Sequence, residues 1–136
     1  MMKAPAAKIL VIDDNPDVVD LLATRLGEEG YGVWGALTSD DGLRLFILFR
    51  PDLVLLDMAL PGMNGIELLK RLRLINPTSR VVMVTGNTDP ILARHALELG
   101  ALAYIDKPFD FAYLKRVVAM ALQTETRPSD NRSRDG

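Results

Sequence analysis

Residues 9–16 of the chain read ILVIDDNP and give the clearest indication of the fold. The first four of these residues are apolar and do not alternate with polar ones, which is typical of a parallel strand covered on both faces. Asp13 and Asp14 follow directly. Asn15 and Pro16 then form a helix start signal, because Asn caps helix termini and Pro is tolerated at the first helical position. The stretch therefore predicts a buried strand, a pair of carboxylates at its carboxyl end and a helix.

The same order of strand and helix recurs along the chain. Two more strong apolar runs and two weaker ones are Leu53–Leu56, Val81–Val84, Gly32–Ala36 and Ala101–Ile105. Helix-like stretches lie between the runs, and their further start signals are Ser39, Asn64, Asp89 and Asp110. With right-handed crossovers, five strand–helix units predict an α/β fold. The expected architecture is a (βα)5 doubly wound, five-stranded parallel sheet with helices on both faces.

The second helix is unusually apolar, and little polar surface is left by Leu43, Leu45, Phe46, Ile47, Leu48 and Phe49. One interpretation is a short, deeply packed helix with the usual scatter of exposed apolar residues. The other is a partner or dimer surface around Ile47 and Leu48. We favour the first, although the sequence alone leaves both open.

The 136 residues predict a single domain. Because no apolar residue occurs from Thr124 onward, we expect an N-terminal flank at 1–7, a folded domain at 8–122 and a disordered polar tail or linker stub at 123–136. The absence of an output domain after residue 122 fits either a stand-alone protein or a domain cut from a longer one. No apolar run approaches the ~20 residues of a membrane span, so we expect a cytoplasmic protein with no membrane partner.

Composition removes several classes of chemistry. The chain has no cysteine, which excludes disulfide scaffolds, cysteine zinc sites, iron–sulfur clusters and thiol nucleophiles. Its one histidine, His95, excludes multi-histidine metal sites. The formal net charge of −2 argues against a broad nucleic-acid surface, so we expect no direct nucleic-acid partner. Carboxylate chemistry is what remains most available.

Charged and polar residues stand where the predicted strands end. Asp13 and Asp14 follow the first strand, Asp57 follows the third, Thr85 ends the fourth and Lys107 follows the fifth. Each alone is typical of a cap, a turn or a solvated surface, but the carboxyl ends of parallel strands share one edge. Three carboxylates there repel each other unless a cation intervenes, and Mg²⁺ with oxygen ligands and waters suits them. A carboxylate nucleophile, Mg²⁺, an ammonium and a hydroxyl together favour phosphoryl transfer.

Five motifs in this order resemble those of the receiver domain of two-component response regulators. They are Val11–Asn15 (VIDDN), Leu55–Met58 (LLDM), Leu60–Gly65 (LPGMNG), Val84–Gly86 (VTG) and Tyr104–Phe109 (YIDKPF). None of them is specific alone, but together and in this order they are. The resemblance covers roughly residues 8–122 and implies a flavodoxin-like sheet with the strand order 2-1-3-4-5.

The resemblance also implies a role for each residue of the site. Asp57 would be the phosphoacceptor. Asp14 would bind Mg²⁺ directly and Asp13 largely through water, and the backbone carbonyl of Ala59 would be a further metal ligand. Lys107 would bind the phosphoryl group, and the peptide bond between Lys107 and Pro108 is commonly cis in this family.

Thr85 and Tyr104 would form the switch pair of such a domain. Phosphorylation would draw Thr85 toward the phosphoryl group, the Tyr104 ring would turn inward, and the face made by the fourth helix, fifth strand and fifth helix would change. The resemblance implies a histidine kinase or histidine phosphotransfer protein as donor, and an effector protein or a homodimer at that face. It implies no enzyme activity beyond the protein's own phosphorylation and dephosphorylation. Ala59 and Asn87 would tune the lifetime of the phosphorylated state.

An alternative is a phosphorylation-independent interaction module with the same fold. Degenerate receivers usually lack an acidic residue, the acceptor or the lysine, and all are present here, which favours the phosphorylatable switch.

Two further patterns resemble motifs of other protein classes but do not match them. The segment Gly30–Gly35 spells GxGxxG but follows a predicted helix rather than a strand, unlike a dinucleotide site. The segment Asp57–Ala59 lacks the second Asp of haloacid-dehalogenase-type phosphatases.

Overall fold

The computed structural model describes residues 6–87 and 89–126, in which strands and helices alternate. The strands are β1 (Lys8–Ile12), β2 (Gly32–Ala36), β3 (Leu53–Leu56), β4 (Val81–Thr85) and β5 (Ala103–Asp106). The helices are α1 (Pro16–Glu28), α2 (Ser39–Phe49), α3 (Gly65–Ile75), α4 (Pro90–Glu98) and α5 (Phe111–Gln123). Most of the predicted flank at 1–7 and polar tail at 123–136 lies outside the described residues. Within those residues, no helix is both long and apolar enough to cross a membrane.

The sheet has the predicted topology. Its five strands are all parallel and lie in the order β2-β1-β3-β4-β5, which confirms the doubly wound α/β fold and its strand order. Ile12 of β1 pairs with Leu56 of β3, and Leu56 pairs with Met83 of β4. Asp13 and Asp57, which follow β1 and β3, therefore leave the sheet at one level, and β4 continues two residues further to Thr85. The order reverses between β1 and β3, which is where sheets of this kind bind ligands.

Apolar side chains are buried on both faces of the sheet, as the lack of alternation in the strands predicts. On one face Leu10, Ile12 and Leu56 pack with α2, α3 and α4. On the other face Ile9 and Val11 pack with α1 and α5. Burying each such side chain contributes about 1.5–3 kcal/mol, so the central strands form a closely packed base for the loops at their carboxyl ends.

Four predicted helix caps are confirmed, at Asn15, Asn64, Asp89 and Asp110. Each accepts a hydrogen bond from a backbone N–H in the first helical turn. The prediction for the second helix is wrong, because Ser39 is its first residue and Thr38 is the cap, with Oγ1 accepting from the N–H of Asp41 at 3.1 Å. The buried Ser39 hydroxyl instead donates to the Met63 carbonyl at 2.5 Å, so it is not available to cap.

The fifth strand begins later than its apolar run suggests. The run predicts a strand from Ala101, whereas β5 starts at Ala103. The N–H of Ala101 donates to the Ala96 carbonyl at 3.0 Å. Ala101 therefore belongs to the turn that closes α4 and cannot join the sheet.

The second helix, α2, buries only part of its apolar surface. Phe46 is buried, and Phe49 stacks on Trp34 with the ring centroids 4.9 Å apart. Ile47 and Leu48 are 56% and 65% exposed. Deep packing therefore accounts for Phe46, Phe49 is partly buried against Trp34, and the contact surface around Ile47 and Leu48 stays a prediction.

Candidate functional site

Three carboxylates converge at the carboxyl edge of the sheet. Asp13 directly follows β1, Asp57 directly follows β3, and Asp14 is the next residue after Asp13. One carboxylate oxygen from each of the three lies within 4.8 Å of the others. Asp13 and Asp57 are 3% and 5% exposed, whereas Asp14 is exposed. The adjacency of β1 and β3 thus brings together the acidic residues that the sequence predicts at one edge.

Backbone hydrogen bonds fix the two buried carboxylates in place. The N–H of Asp57 donates to the Ile12 carbonyl at 2.9 Å, which ties the end of β3 to β1. Asp13 Oδ1 accepts from the N–H of Asn15 at 2.9 Å. Asp57 Oδ1 accepts from the N–H of Ala59 at 3.3 Å. Each Oδ1 is therefore held by the chain beyond it, and each Oδ2 is left for another partner.

Lys107 is that partner. Its Nζ lies 2.5 Å from Asp13 Oδ2 and 3.3 Å from Asp57 Oδ2. Its N–H donates to the Thr85 carbonyl at 3.0 Å, and its peptide bond to Pro108 is cis, as the resemblance predicts. Burial alone would lower the pKa of Lys107. The hydrogen bond to Asp13 and the charges of Asp13 and Asp57 outweigh burial, so the pKa is raised and the ammonium stays protonated at neutral pH.

Thr85 and Tyr104 meet at Asn87 rather than at the carboxylates. Thr85 is fully buried, and its Oγ1 accepts from the N–H of Asn87 at 3.2 Å. The half-buried Tyr104 donates from its hydroxyl to the Asn87 carbonyl in a short hydrogen bond. Burial, and then the charges of three nearby aspartates, raises the pKa of Tyr104. The backbone of Asn87 therefore joins the two predicted switch residues, a contact for which the sequence offers only the position of Asn87 after Thr85.

The chain passes very close to the start of α3 after it leaves the acidic cluster. The N–H of Gly65 donates to the Met58 carbonyl at 2.7 Å. A Cβ on Gly65 would lie 2.4 Å from the carbonyl oxygen of Asp57 and 2.6 Å from Cα of Met58, so only glycine fits there. This role of Gly65 depends on a tertiary contact and is not predicted from the sequence. Ala59 is exposed beside the cluster, and the role of its carbonyl as a metal ligand stays a prediction.

The acidic cluster could hold a metal ion. Its oxygen donors suit a hard divalent cation, and carboxylates are the usual protein ligands of such ions. Three carboxylates and the single ammonium of Lys107 leave a formal charge of −2, which one divalent cation would balance. The exposed Asp14 gives an ion access to the site from solvent. The donor set and its charge therefore both fit a divalent cation.

Comparison with known proteins agrees with this geometry. Residues 9–119 match the family model described as the response regulator receiver domain. Sporulation initiation phosphotransferase F of Bacillus subtilis (strain 168) is 40% identical over 111 residues, which cover 82% of this chain and 90% of that protein. The nitrogen assimilation regulatory protein NtrX of Azorhizobium caulinodans is 36% identical over 121 residues, which cover 88% of this chain and 27% of that protein.

Solved structures share the same architecture. A response regulator receiver domain protein (CheY-like) from Methanospirillum hungatei JF-1 superposes with a TM-score of 0.83 at 31% identity, covering 96% of this chain and 99% of that chain. The receiver domain of NtrX from Brucella abortus gives a TM-score of 0.82 at 36% identity, covering 86% of this chain and 99% of that chain. With the acidic cluster and the lysine in place, this chain belongs to the response regulator receiver domain family of two-component signalling.

Proposed function

We propose that residues 8–122 form a phosphorylation-activated switch in which Asp57 accepts a phosphoryl group from a histidine kinase or a histidine phosphotransfer protein. The observation that carries the proposal is the group of three carboxylates around the Lys107 ammonium. Asp57 is the acceptor in this proposal because it follows β3. This strand lies between β1, which precedes Asp13, and β4, which ends in Thr85. A nucleophile in that position has acidic metal ligands on one side and hydrogen-bond donors on the other.

In the proposed transfer, a carboxylate oxygen of Asp57 attacks the phosphorus atom of a phosphohistidine. The phosphorus–nitrogen bond breaks, its electron pair stays on the imidazole nitrogen, and that nitrogen takes up a proton from solvent. The product is an acyl phosphate on Asp57. The ammonium of Lys107 has three N–H donors, so it can keep its bond to Asp13 while one N–H moves from Asp57 to a phosphoryl oxygen. The hydroxyl of Thr85 would donate to a second phosphoryl oxygen.

The proposed metal is Mg²⁺. Asp14 and Asp57 would bind it directly, together with the carbonyl of Ala59, while Asp13 would act largely through water. When bound, the ion would neutralise charge on the phosphoryl oxygens and draw the donor to the site. The support for this choice is the all-oxygen donor set and its formal charge of −2.

The link through Asn87 supports a mechanical route for the switch. To donate to a phosphoryl group, Thr85 must change the hydrogen bond in which its Oγ1 now accepts from Asn87. Tyr104 is bound to the carbonyl of the same residue. Movement of Thr85 would therefore move the Asn87 carbonyl to which Tyr104 donates. Phosphorylation would in this way shift the population between two packings of the Tyr104 ring.

The proposed output face comprises α4, β5 and α5. Large apolar side chains are exposed on its two helices, and they include Ile91, Leu97 and Tyr113. An effector protein or a second copy of the chain would cover them, since contact surfaces are typically rich in exposed apolar side chains. Ile91 lies in the first turn of α4, shortly after Asn87, which makes it the most direct reporter of the switch.

The proposed lifetime control lies at two positions beside the acceptor. Ala59 and Asn87 stand two residues beyond Asp57 and Thr85, and they would tune how readily water attacks the acyl phosphate. Ala59 adds no polar group to orient that water. Replacing Ala59 with Glu should change the rate at which the phosphoryl group is lost, as measured by intact mass over time; an unchanged rate would contradict the assignment.

Phosphorylation by a small-molecule phosphodonor with Mg²⁺, read out by intact mass, tests the proposal. We expect one added phosphoryl group on the native chain and none on Asp57→Asn. Asp20→Asn is the matched control, because Asp20 is an exposed carboxylate on α1, outside the cluster. No addition to the native chain, or undiminished addition to Asp57→Asn, would favour a phosphorylation-independent interaction module instead.

A further inference from the structure

A cavity of about 500 Å³ opens at the edge of the sheet opposite the acidic cluster. It lies between the carboxyl ends of α2 and α3, and its lining includes Asp52 and Arg80, the residues that directly precede β3 and β4. Since β3 separates Asp52 from Asp57, the cavity is roughly 16 Å from the cluster by the rise of a strand. Its volume falls in the range of ~300–1,000 Å³ that is typical of small-molecule sites.

The charged groups of the cavity favour an anion. Arg50 and Arg80 line it together with one carboxylate, Asp52. That carboxylate is already engaged, since Asp52 Oδ2 accepts from the N–H of Lys8 at 2.7 Å. Arg80 uses Nε to donate to the Thr124 carbonyl at 2.9 Å, which leaves its terminal N–H groups for another acceptor. Guanidinium groups of this kind recognise carboxylate and phosphate oxygens, often with two parallel hydrogen bonds.

Arg50 occupies a backbone conformation that is unfavourable for arginine. It ends α2 with φ 49° and ψ 66°, in the left-handed region that glycine and asparagine occupy more readily than arginine. Its N–H closes the helix by donating to the Phe46 carbonyl at 3.1 Å, a bond that glycine could make equally well. In the part of the chain that the structure describes, its side chain has no hydrogen-bond or ion-pair partner. Arg50 is exposed, so its guanidinium is solvated and available to a ligand, and it is the retention of arginine in this backbone conformation that indicates a function.

Ser79 gives a second, independent sign of a missing partner. It lines the same cavity, is 5% exposed, and its Oγ has no hydrogen-bond partner among the described residues. Buried polar groups without partners are rare in folded proteins. Its Oγ is covered by protein in the present rotamer, so Ser79 would meet an acceptor in the cavity by turning about its Cα–Cβ bond to another of the three staggered rotamers.

The wall of the cavity supplies apolar contact area beside these polar groups. Ile47 and Ile75, from the last turns of α2 and α3, both line it and are both about half exposed. We propose that the cavity binds a small organic anion, with its carboxylate or phosphate held by Arg50 and Arg80 and its apolar body packed on Ile47 and Ile75. This site does not depend on the proposed phosphoryl transfer, because it shares no residue with the acidic cluster.

Amide-detected NMR titration of the full chain in metal-free buffer without a carboxylate chelator tests the site and separates the two anion chemistries. The probes are benzoate and phenyl phosphate, with inorganic phosphate as the probe that lacks an apolar body. We expect saturable shifts at Arg50, Ser79 and Arg80 with at least one aromatic probe, and no comparable shifts at Asp13 or Asp57. Inorganic phosphate should bind about tenfold more weakly, because it buries no apolar area.

Arg50→Gly is the informative variant. It removes the guanidinium but keeps the left-handed backbone, so the melting temperature should stay the same or rise. Binding of the aromatic probe should weaken by about tenfold or more, the loss of one charge-assisted hydrogen-bonding group. Arg44→Gln is the control, because Arg44 is an exposed cation of the same helix that pairs with Asp41 and does not line the cavity.

Two results would overturn the proposal. The first is the absence of saturable shifts at Arg50, Ser79 and Arg80 with either aromatic probe. The second is an equal loss of affinity in Arg50→Gly and Arg44→Gln, which would mean that net charge alone attracts the probe. Neither outcome depends on whether Asp57 is phosphorylated, so this proposal and the proposed function can fail separately.

Discussion

Replacing Lys107 with methionine tests whether one ammonium holds the acidic cluster together. Methionine keeps most of the apolar stem of the side chain and removes its charge. In the native chain Nζ lies 2.5 Å from Asp13 and 3.3 Å from Asp57, whose side chains are only 4% and 7% exposed. The variant leaves these two carboxylates beside Asp14 without that ammonium.

The size of the effect follows from burial. Removing one partner of a buried ion pair costs about 3–5 kcal/mol, because the remaining charge is uncompensated. The Lys107 side chain is 22% exposed, so water reaches part of the site and screens some of the loss. We therefore expect the free energy of unfolding to fall by about 2–3 kcal/mol. In a domain of this size the melting temperature would fall by roughly 10 °C.

Urea denaturation in EDTA near neutral pH, followed by circular dichroism, measures this loss without a metal that would mask it. The control is Lys115→Met, because Lys115 pairs with Glu29 at 3.4 Å with both side chains well exposed. That exposed pair should contribute less than about 1 kcal/mol. Equal losses in the two variants, or a loss below about 1 kcal/mol for Lys107→Met, would contradict the stabilising role of the Lys107 ammonium.

Two changes of condition sharpen the same test. Mg²⁺ should stabilise Lys107→Met more than the native chain, because the ion would replace a missing positive charge and bind only the folded state. Because the pKa of Lys107 is raised in the folded state, its contribution to the free energy of unfolding is complete below the unfolded pKa of 10.5. That contribution is lost as the pH rises through the folded pKa. The difference between native chain and variant should therefore shrink only in strongly alkaline solution.

Three further predictions concern the switch, the turn after the acceptor and the core. Tyr104 should titrate above 10.0, since its pKa is raised, and the difference in tyrosinate absorbance between native chain and Tyr104→Phe measures this; a midpoint at or below 10.0 would contradict it. Gly65→Ala should lose about 1–3 kcal/mol in urea denaturation, because its Cβ meets backbone at 2.4 Å, whereas Gly27→Ala, which meets nothing within 4 Å, should not destabilise. Leu69→Ala should lose about 2–5 kcal/mol because Leu69 is fully buried, whereas Leu74→Ala, at a position 80% exposed, should change little.

The sequence predicts the sheet well because its central strands are uninterrupted apolar runs, which are typical of strands buried on both faces. The runs that became β1, β3 and β4 are apolar at every position, and each side chain in them is covered on one face or the other. The convergence of Asp13 and Asp57 then follows from topology alone. Parallel strands end at one edge, so two residues far apart in the chain become neighbours once their strands pair.

The contacts that the sequence did not reveal all depend on a tertiary partner. Ser39 is a good capping residue, yet its hydroxyl bonds the Met63 carbonyl and the cap passes to Thr38. The bond from Tyr104 to the Asn87 carbonyl likewise needs β5 to lie beside the loop that follows β4. Local propensity indicates which residues are suited to cap a helix. Whether a given side chain does so depends on tertiary hydrogen-bond partners, which become neighbours only when the chain folds.

The hydrogen bond between Lys107 and Asp57 gives the resting site a second significance. It occupies an oxygen of the proposed nucleophile, so the ammonium both stabilises the unphosphorylated cluster and lowers the nucleophilicity of the carboxylate. In the proposed transfer this N–H moves to a phosphoryl oxygen on the same side chain, while the bond to Asp13 is kept. The ammonium then donates the same number of hydrogen bonds in both states, so the phosphorylated state keeps a contact between Lys107 and the side chain of residue 57. The same count predicts that Lys107→Met removes a stabilising contact from both states. Urea denaturation of the unphosphorylated chain measures the effect on stability, and intact mass over time measures the effect on the lifetime of the phosphorylated state, so the two effects are separable.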